Sequence, residues 1–93
     1  MIKWEMVVID RDLYCNIWVP IMHEGRQLKI GEVRSIVKGI RSIEKICKLQ
    51  GEIAGWATWV EHDHKHVARL VEKLGAKPVI HKEEATWYAK GVK

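Results

Sequence analysis

Two helical patterns of apolar residues, each lying between strand-like segments, constrain the fold of this chain more than any other feature. Over residues 31–49 the apolar positions recur at intervals of three and four. They are Val33, Ile36, Val37, Ile40, Ile43 and Cys47. A second, shorter pattern covers residues 64–74, with Val67, Leu70, Val71 and Leu74 on its apolar face. Helices that alternate with strands pack across the sheet that those strands build, so an α/β protein is expected.

Five segments have the β-branched and aromatic composition of strands. They are residues 2–9, 13–21, 53–61, 79–81 and 85–92. The first two flank the turn sequence Asp10-Arg11-Asp12 and predict an antiparallel hairpin. The predicted order is β-β-α-β-α-β-β, which is a mixed, partly antiparallel sheet with two helices. Trp56 and Trp59 are expected on opposite faces of their strand.

Three residues predict where elements begin or end. Pro20 has no backbone N–H, so the second strand should end or bulge there. Asp63 is expected to be the N-cap of the second helix, and Gly75 stands where a left-handed C-terminal cap belongs. No linker or repeat divides the chain, so residues 1–93 are expected to form a single domain.

Composition bounds the classes of partner. The chain is 47% hydrophobic and 30% charged, as in a globular protein, and its net charge is +4. A basic balance suits a phosphorylated ligand, nucleic acid or an acidic protein surface and selects none of them. Cys15 and Cys47 are expected to be reduced, buried thiols of a cytoplasmic protein. No apolar run approaches the ~20 residues that cross a bilayer, so no membrane association is expected.

The polar loop of residues 23–29 leads directly into the first helix. The first backbone N–H groups of a helix have no internal acceptor, and the helix dipole favours negative charge beside them. The stretch therefore has two interpretations, an anion cradle at a helix N-terminus or an ordinary strand-to-helix connection.

Two motifs resemble the C-terminal half of the GNAT superfamily of acyl-CoA N-acyltransferases. In the first, a strand ends at Val19-Pro20, and a loop of the form [Gln/Arg]-x-x-Gly-x-[Gly/Ala] opens a long helix. Arg26 and Gly31 match that loop, while Lys29 replaces its first glycine. The second motif, DHKHVARLVEKLGAKPV, matches the family at Leu70, Lys73 and Gly75. The closing TWYAK is similar to the family's last strand.

The resemblance implies a single, truncated GNAT-like domain over residues 1–93 that uses acetyl-CoA as a substrate. It implies that a strand N–H near Val19 stabilises the oxyanion and that the loop holds the pyrophosphate. The implied cofactor-binding residues are Val19, Ile21, Arg26, Gln27, Leu28, Lys29, Ile30, Gly31 and Glu32. The acceptor would be an amine of unknown identity. In the family, the N-terminal half usually helps to form the acceptor site, and this half has no counterpart here. A homodimer would supply the missing wall of that site.

The catalytic residues are less well matched to the family. Val71 stands where a tyrosine often acts as the general acid, and His64 stands where asparagine is usual. Glu61 and His64 are the candidate bases for deprotonating the amine. His62 and His66 with Asp63 raise the alternative of a zinc site, but helix geometry separates His64 from its neighbours, so a polar helix start is preferred and no metal is expected.

The leading hypothesis is acyl-CoA binding with N-acetyl transfer to an amine. The alternative is a catalytically inactive GNAT-like module that binds a protein or nucleic acid. Five cations fall within one stripe of the first helix and would suit a phosphate backbone, although a solvated helix face is the preferred interpretation. They are Arg34, Lys38, Arg41, Lys45 and Lys48.

Overall fold

The computed structural model describes residues 3–92, which form five strands and two α-helices. The elements are β1 (Lys3–Ile9), β2 (Asp12–Trp18), a 3-10 helix (Pro20–His23), α1 (Ile30–Leu49), β3 (Ile53–Glu61), α2 (Lys65–Lys73), β4 (Lys77–His81) and β5 (Ala85–Gly91). The α/β class and the order predicted from the sequence are confirmed. Ile2, the first residue of the predicted hairpin, lies outside the described residues.

The strands form one mixed sheet in the order β1-β2-β3-β5-β4. Strands β2 and β3 are parallel, and the other three neighbouring pairs are antiparallel. The β2-α1-β3 and β3-α2-β4 connections advance across the sheet in the same direction. Since such crossovers are right-handed, both helices lie on one face. They share one core there, which includes Ile36 and Ile40 of α1 and Val67 and Val71 of α2.

The β1–β2 hairpin turns through two residues in the left-handed backbone region, Asp10 at φ 50° and Arg11 at φ 73°. Two such residues in a two-residue loop match the right-handed twist of the flanking strands. Strand β2 ends at Trp18, three residues earlier than predicted. Pro20 cannot donate to a strand ladder, and it begins the 3-10 helix instead.

Helix α2 begins one residue later than predicted, and the N-cap assignment to Asp63 is wrong. His64 occupies the N-cap position, and the Asp63 side chain is 88% exposed. The C-terminal cap is confirmed, since Gly75 has φ +102°. The N–H of Ala76 donates to Val71 O at 3.0 Å, which closes the last turn in the manner of a left-handed cap.

The sheet face opposite the helices is partly covered by its own aromatic side chains. Ala57 and Ala89 lie buried in the centre of that face, beneath Tyr14 and Trp87. Trp59, also on this face, is directly paired with Trp87 across β3 and β5. Trp56 is fully buried on the helix side, so the prediction that Trp56 and Trp59 face opposite ways is confirmed.

One carboxylate is buried between α1 and the sheet. Glu44 accepts hydrogen bonds from Trp56 Nε1 at 2.9 Å, from Lys90 Nζ at 2.8 Å and from Arg41 at 3.0 Å. Burial by itself would raise the pKa of Glu44, but these three donors outweigh it and hold that pKa below its ordinary value. The network ties α1 to both β3 and β5.

Both cysteines are buried thiols that form no disulfide within residues 3–92. Burial, together with the neighbouring Cys47, raises the pKa of the Cys15 thiol to about 11, so this thiol is not a nucleophile at neutral pH. Neither helix described in residues 3–92 is long and apolar enough to span a lipid bilayer.

Candidate functional site

The candidate site lies where the pairing of the two parallel strands ends. The β2–β3 ladder runs from Leu13 and Ile53 to Asn16 and Ala57, whereas β3 stays paired with β5 as far as Glu61. Beyond the ladder, the Thr58 hydroxyl donates to Ile17 O at 2.9 Å. A side-chain donor thus takes the place of a backbone donor, and the backbone pairing of β2 with β3 ends before the carboxyl ends of the two strands.

Val19 has a backbone donor that faces β3 beyond the end of this ladder. The Thr58 contact shows that the Ile17 carbonyl faces β3. Backbone groups two residues apart on an extended strand point to the same side, and Val19 is extended at φ −116° and ψ 108°. Its N–H therefore faces β3 as well, and no residue within 3–92 accepts a hydrogen bond from it.

The start of α1 is partly closed by the chain's own carboxylate. Arg26 donates to both oxygens of Glu32, at 2.8 and 2.6 Å, and to Glu24 at 2.8 Å. Glu32 also accepts the Lys29 N–H at 2.9 Å. The Arg26 hydrogen bonds, followed by the Lys29 N–H, lower the pKa of Glu32 to about 2. The Glu32 carboxylate thus already occupies part of the predicted anion-binding site at the start of α1.

The remaining first-turn amides are unoccupied. The N–H groups of Ile30 and Gly31 have no acceptor in the described part of the chain. A Cβ placed on Gly31 would meet no atom within 4 Å, so the space above this turn is open. These amides could hold an anionic group if the Glu32 carboxylate moved aside.

The other predicted cofactor-binding residues divide into two groups. Val19 is buried, and the side chains of Ile21 and Leu28 pack against the helix-side core. These three residues can offer only backbone groups to a ligand. Gln27 and Lys29 are exposed on the loop.

Glu61, at the end of β3, brings together two imidazoles. Its carboxylate lies 3.0 and 3.1 Å from His23 Nδ1 and 2.9 Å from His64 Nδ1. The His64 contact is close, but its angle is outside hydrogen-bond geometry, so we describe it as an ion-pair contact. The side chains of His23 and His64 are only 9% and 12% exposed, against 24% for Glu61. The structure therefore places both predicted bases in one cluster.

Sequence reasoning missed His23. Its ring stacks on Trp18, with centroids 5.6 Å apart, and packs against Trp59 at 4.5 Å. His23 and Glu61 are 38 positions apart in the chain, so no local spacing connects them. The available signal was its position just after Pro20, where β2 ends beside β3.

The other histidines do not converge on a metal site. His62 Nε2 and His81 Nδ1 both contact the Thr86 hydroxyl, at 3.0 and 3.2 Å. His64 turns away to Glu61. Among the described residues, no group of three or more histidine, cysteine, aspartate or glutamate side chains is arranged to hold a metal ion.

A cleft of about 410 Å³ adjoins Glu61 between α2 and β5. Lys65, Arg69 and Glu72 of α2 line it, together with Tyr88 of β5. Burial and the nearby Glu72 raise the pKa of Tyr88, which therefore stays protonated at neutral pH. Val71, where the GNAT pattern often has tyrosine, is fully buried in the core.

The basic stripe predicted for α1 lies on the surface. All five of its cations are exposed. Of these, Arg41 forms an ion pair with Glu44, and no other ion pair involves the stripe in residues 3–92.

Comparison of the chain with protein-family models, curated proteins and solved structures found no match.

Proposed function

We propose that this chain is a GNAT-like protein that binds an acyl-CoA between the carboxyl ends of β2 and β3 and transfers the acyl group to an amine. The observation that carries the proposal is the end of backbone pairing between these strands at Asn16 and Ala57, beyond which the Val19 N–H faces β3 with no acceptor in residues 3–92. The pantetheine arm of CoA carries two amides, and these match a strand edge with unused backbone groups.

The pyrophosphate would bind at the first turn of α1. The free N–H groups of Ile30 and Gly31, the helix dipole and the Arg26 guanidinium all favour an anion there. Glu32 now satisfies Arg26, so the carboxylate competes with the phosphate for the same donors. Binding would exchange one anion for another at Arg26.

The Glu61 cluster would supply the base. An acceptor ammonium would lose its proton to the Glu61 carboxylate, which His23 and His64 orient. The amine nitrogen would then attack the thioester carbonyl, and the Val19 N–H would stabilise the oxyanion. As the C–N bond forms and the C–S bond breaks, the nitrogen gives up its second proton, and the leaving thiolate takes that proton through a relay by water or by Tyr88. We place this chemistry in the cytoplasm, where the Cys15 and Cys47 thiols stay reduced.

A matched pair of glycine substitutions tests cofactor binding. At Gly31 and at Gly51 a Cβ meets nothing within 4 Å, so both sites accept a side chain. Gly31→Asp puts a carboxylate on the proposed phosphate site, while Gly51→Asp makes the same change far from it. We expect millimolar acetyl-CoA to raise the melting temperature of the wild type and of Gly51→Asp, but not of Gly31→Asp.

Two results would count against the proposal. If acetyl-CoA did not shift the melting temperature of the wild type, the proposed acyl-CoA binding would be excluded. Equal shifts for both aspartate variants would show that the ligand binds elsewhere. For catalysis, release of free CoA from acetyl-CoA would be followed with a panel of small amines and lysine peptides. Glu61→Gln should lower that rate by about 100-fold or more while the thermal shift remains.

A second candidate function is binding of a nucleic-acid backbone by α1. It is favoured by the exposure of all five stripe cations, four of which have no ion pair in the described part of the chain. Lys38→Glu with Lys45→Glu should abolish salt-sensitive retention on heparin or DNA. Lys77→Glu with Lys82→Glu changes the net charge equally at exposed sites off the stripe and should leave retention unchanged. Similar retention by both double variants would contradict a role for the stripe.

A further inference from the structure

Among residues 3–92, no strand pairs with the outer edge of β1, which leaves a row of backbone groups unused there. Ile9 and Asp12 flank the two-residue hairpin turn and pair with each other, so the odd-numbered residues of β1 bond to β2. Trp4, Met6 and Val8 therefore direct their N–H and C=O groups away from β2, toward open solvent. An uncovered strand edge of this kind is a template for pairing with another strand.

The same three residues carry an apolar surface. Their side chains lie on the helix side of the sheet, and Trp4 and Met6 line a groove with Ile46 of α1. Trp4, Val8 and Ile46 are each more than half exposed, and Met6 is 40% exposed. We call these four residues the edge patch. Together they expose roughly 450 Å² of apolar side chain, within the range of the largest patches on monomers, which are often functional.

We propose that a second copy of this chain covers the edge patch by antiparallel pairing of β1 with β1 about a two-fold axis at Met6. In this register Met6 faces Met6 of the partner, and Trp4 faces Val8. All three residues with outward backbone groups then exchange hydrogen bonds across the axis. The two sheets become one continuous sheet, with both copies of α1 on the same face.

The area and the charges favour this register. Burying the edge patch and the paired β1 backbones of both copies removes on the order of 1,000 Å² from water, which reaches the threshold expected of a biological interface. Lys3 of one copy lies beside the acidic Asp10–Asp12 turn of the other. A register centred on Glu5 would set two carboxylates face to face, which is unfavourable. A register centred on Trp4 would leave Val8 uncovered.

The oligomeric state tests the proposal. The monomer mass is 10.8 kDa, and light scattering on the intact chain should give about twice that value. Met6→Lys places two like charges on the axis and should yield a monomer. Val79→Lys is the matched control, because Val79 lies on the other edge strand, β4, and is 41% exposed against 40% for Met6. That variant should remain a dimer.

Cross-linking tests the register and does not depend on the lysine variant folding. Residues that face each other in a hydrogen-bonded antiparallel pair have Cα atoms about 5.5 Å apart, within disulfide reach. Met6→Cys should therefore form a covalent dimer under mild oxidation, while Trp4→Cys and Val79→Cys should not. Cys15 and Cys47 are buried and should not contribute.

The following outcomes would overturn the proposal. A wild type that stays monomeric at high micromolar concentration excludes the dimer. A Met6→Lys protein that is folded by circular dichroism and still dimeric places the interface elsewhere. Cross-linking through Trp4→Cys instead of Met6→Cys rejects the Met6-centred pairing.

Discussion

At the scale of single residues, the informative position is Glu44. The helical pattern places Glu44 beside the basic stripe and predicts an exposed carboxylate that partly offsets the positive charge of the stripe. The structure buries it against Trp56 and Lys90 instead. Lys90 is 46 positions away, so only the packing of β5 beside β3 reveals the pair. Local periodicity predicts which face of a helix is apolar, but it does not predict a polar partner supplied by a distant strand.

The Glu44 network should contribute strongly to stability. Glu44→Ala removes the acceptor for Trp56, Lys90 and Arg41 and leaves a buried indole N–H without a partner. We expect a loss of about 2–3 kcal/mol in the free energy of unfolding, measured by urea denaturation. Glu52→Ala alters an exposed carboxylate and should cost little. A loss no larger than that of Glu52→Ala would show that the network is not stabilising.

The same residue should shape the acid sensitivity of the fold. The pKa of Glu44 in the folded chain lies below its value in the unfolded chain, about 4.3. Its stabilising contribution is therefore complete above that pH and is lost as the pH falls toward the folded value. The stability difference between the wild type and Glu44→Gln should be largest at pH 7 and shrink near pH 3. A difference that stays constant with pH would contradict the assigned ionisation.

At the scale of elements, most boundaries were predictable because strong local signals mark them. The Asp10-Arg11 turn, Pro20 and Gly75 each restrict the backbone in a way that ends or reverses an element. The 53–61 strand was predicted to the residue. The N-cap was not, because Asp63 and His64 are both polar and the choice depends on His64 contacting Glu61. The Glu61–His64 contact was foreseeable from their spacing of three residues, whereas His23 joins them only through the three-dimensional course of the Pro20–His23 turn.

The C-terminal cap of α2 should require glycine. Gly75 has φ +102°, and a Cβ there would come within 3.0 Å of the Lys90 side chain. Gly75→Ala should lower stability by about 1–2 kcal/mol, measured by thermal or urea unfolding. Gly51→Ala has open space and no positive φ, so it should be neutral or slightly stabilising. If the two alanine variants proved equally stable, the strain at Gly75 would be refuted.

The contribution of the Thr58 hydroxyl, which bridges β2 and β3, to the stability of the fold should also be measurable. Thr58→Val keeps the shape of the side chain but leaves the buried Ile17 carbonyl without its donor. We expect a loss of about 1–2 kcal/mol in the free energy of unfolding. Thr58→Ser retains the hydroxyl and should lose clearly less. A valine variant as stable as the serine variant would mean that the bridge contributes nothing.

At the scale of the whole molecule, the two sheet faces and the two sheet edges are unequal. The helices bury one face, and aromatic side chains partly cover the other. Edge strand β1 combines free backbone groups with the edge patch, whereas β4 is short and carries Pro78. The α/β architecture could be predicted from the order of the segments. The exposed edge could not, because strand order across the sheet is not encoded in local patterns.

Dimer formation through β1 should couple stability to concentration. A partner that binds only the folded chain raises the melting temperature as its concentration increases. We expect a rise of a few degrees for a tenfold increase in wild-type protein, followed by differential scanning calorimetry. Met6→Lys should melt at the same temperature throughout. Concentration-independent melting of the wild type would argue against the proposed interface.

The early end of the β2–β3 ladder has a consequence for how a ligand would enter there. Past Asn16 and Ala57 the backbone ladder between these strands stops, and the Thr58 hydroxyl and the His23 ring, which lies against Trp18 and Trp59, connect the two strands. A ligand that enters here would displace these side chains and leave the backbone hydrogen bonds of the sheet intact. Entry thus demands movement of the Pro20–His23 turn rather than of the sheet.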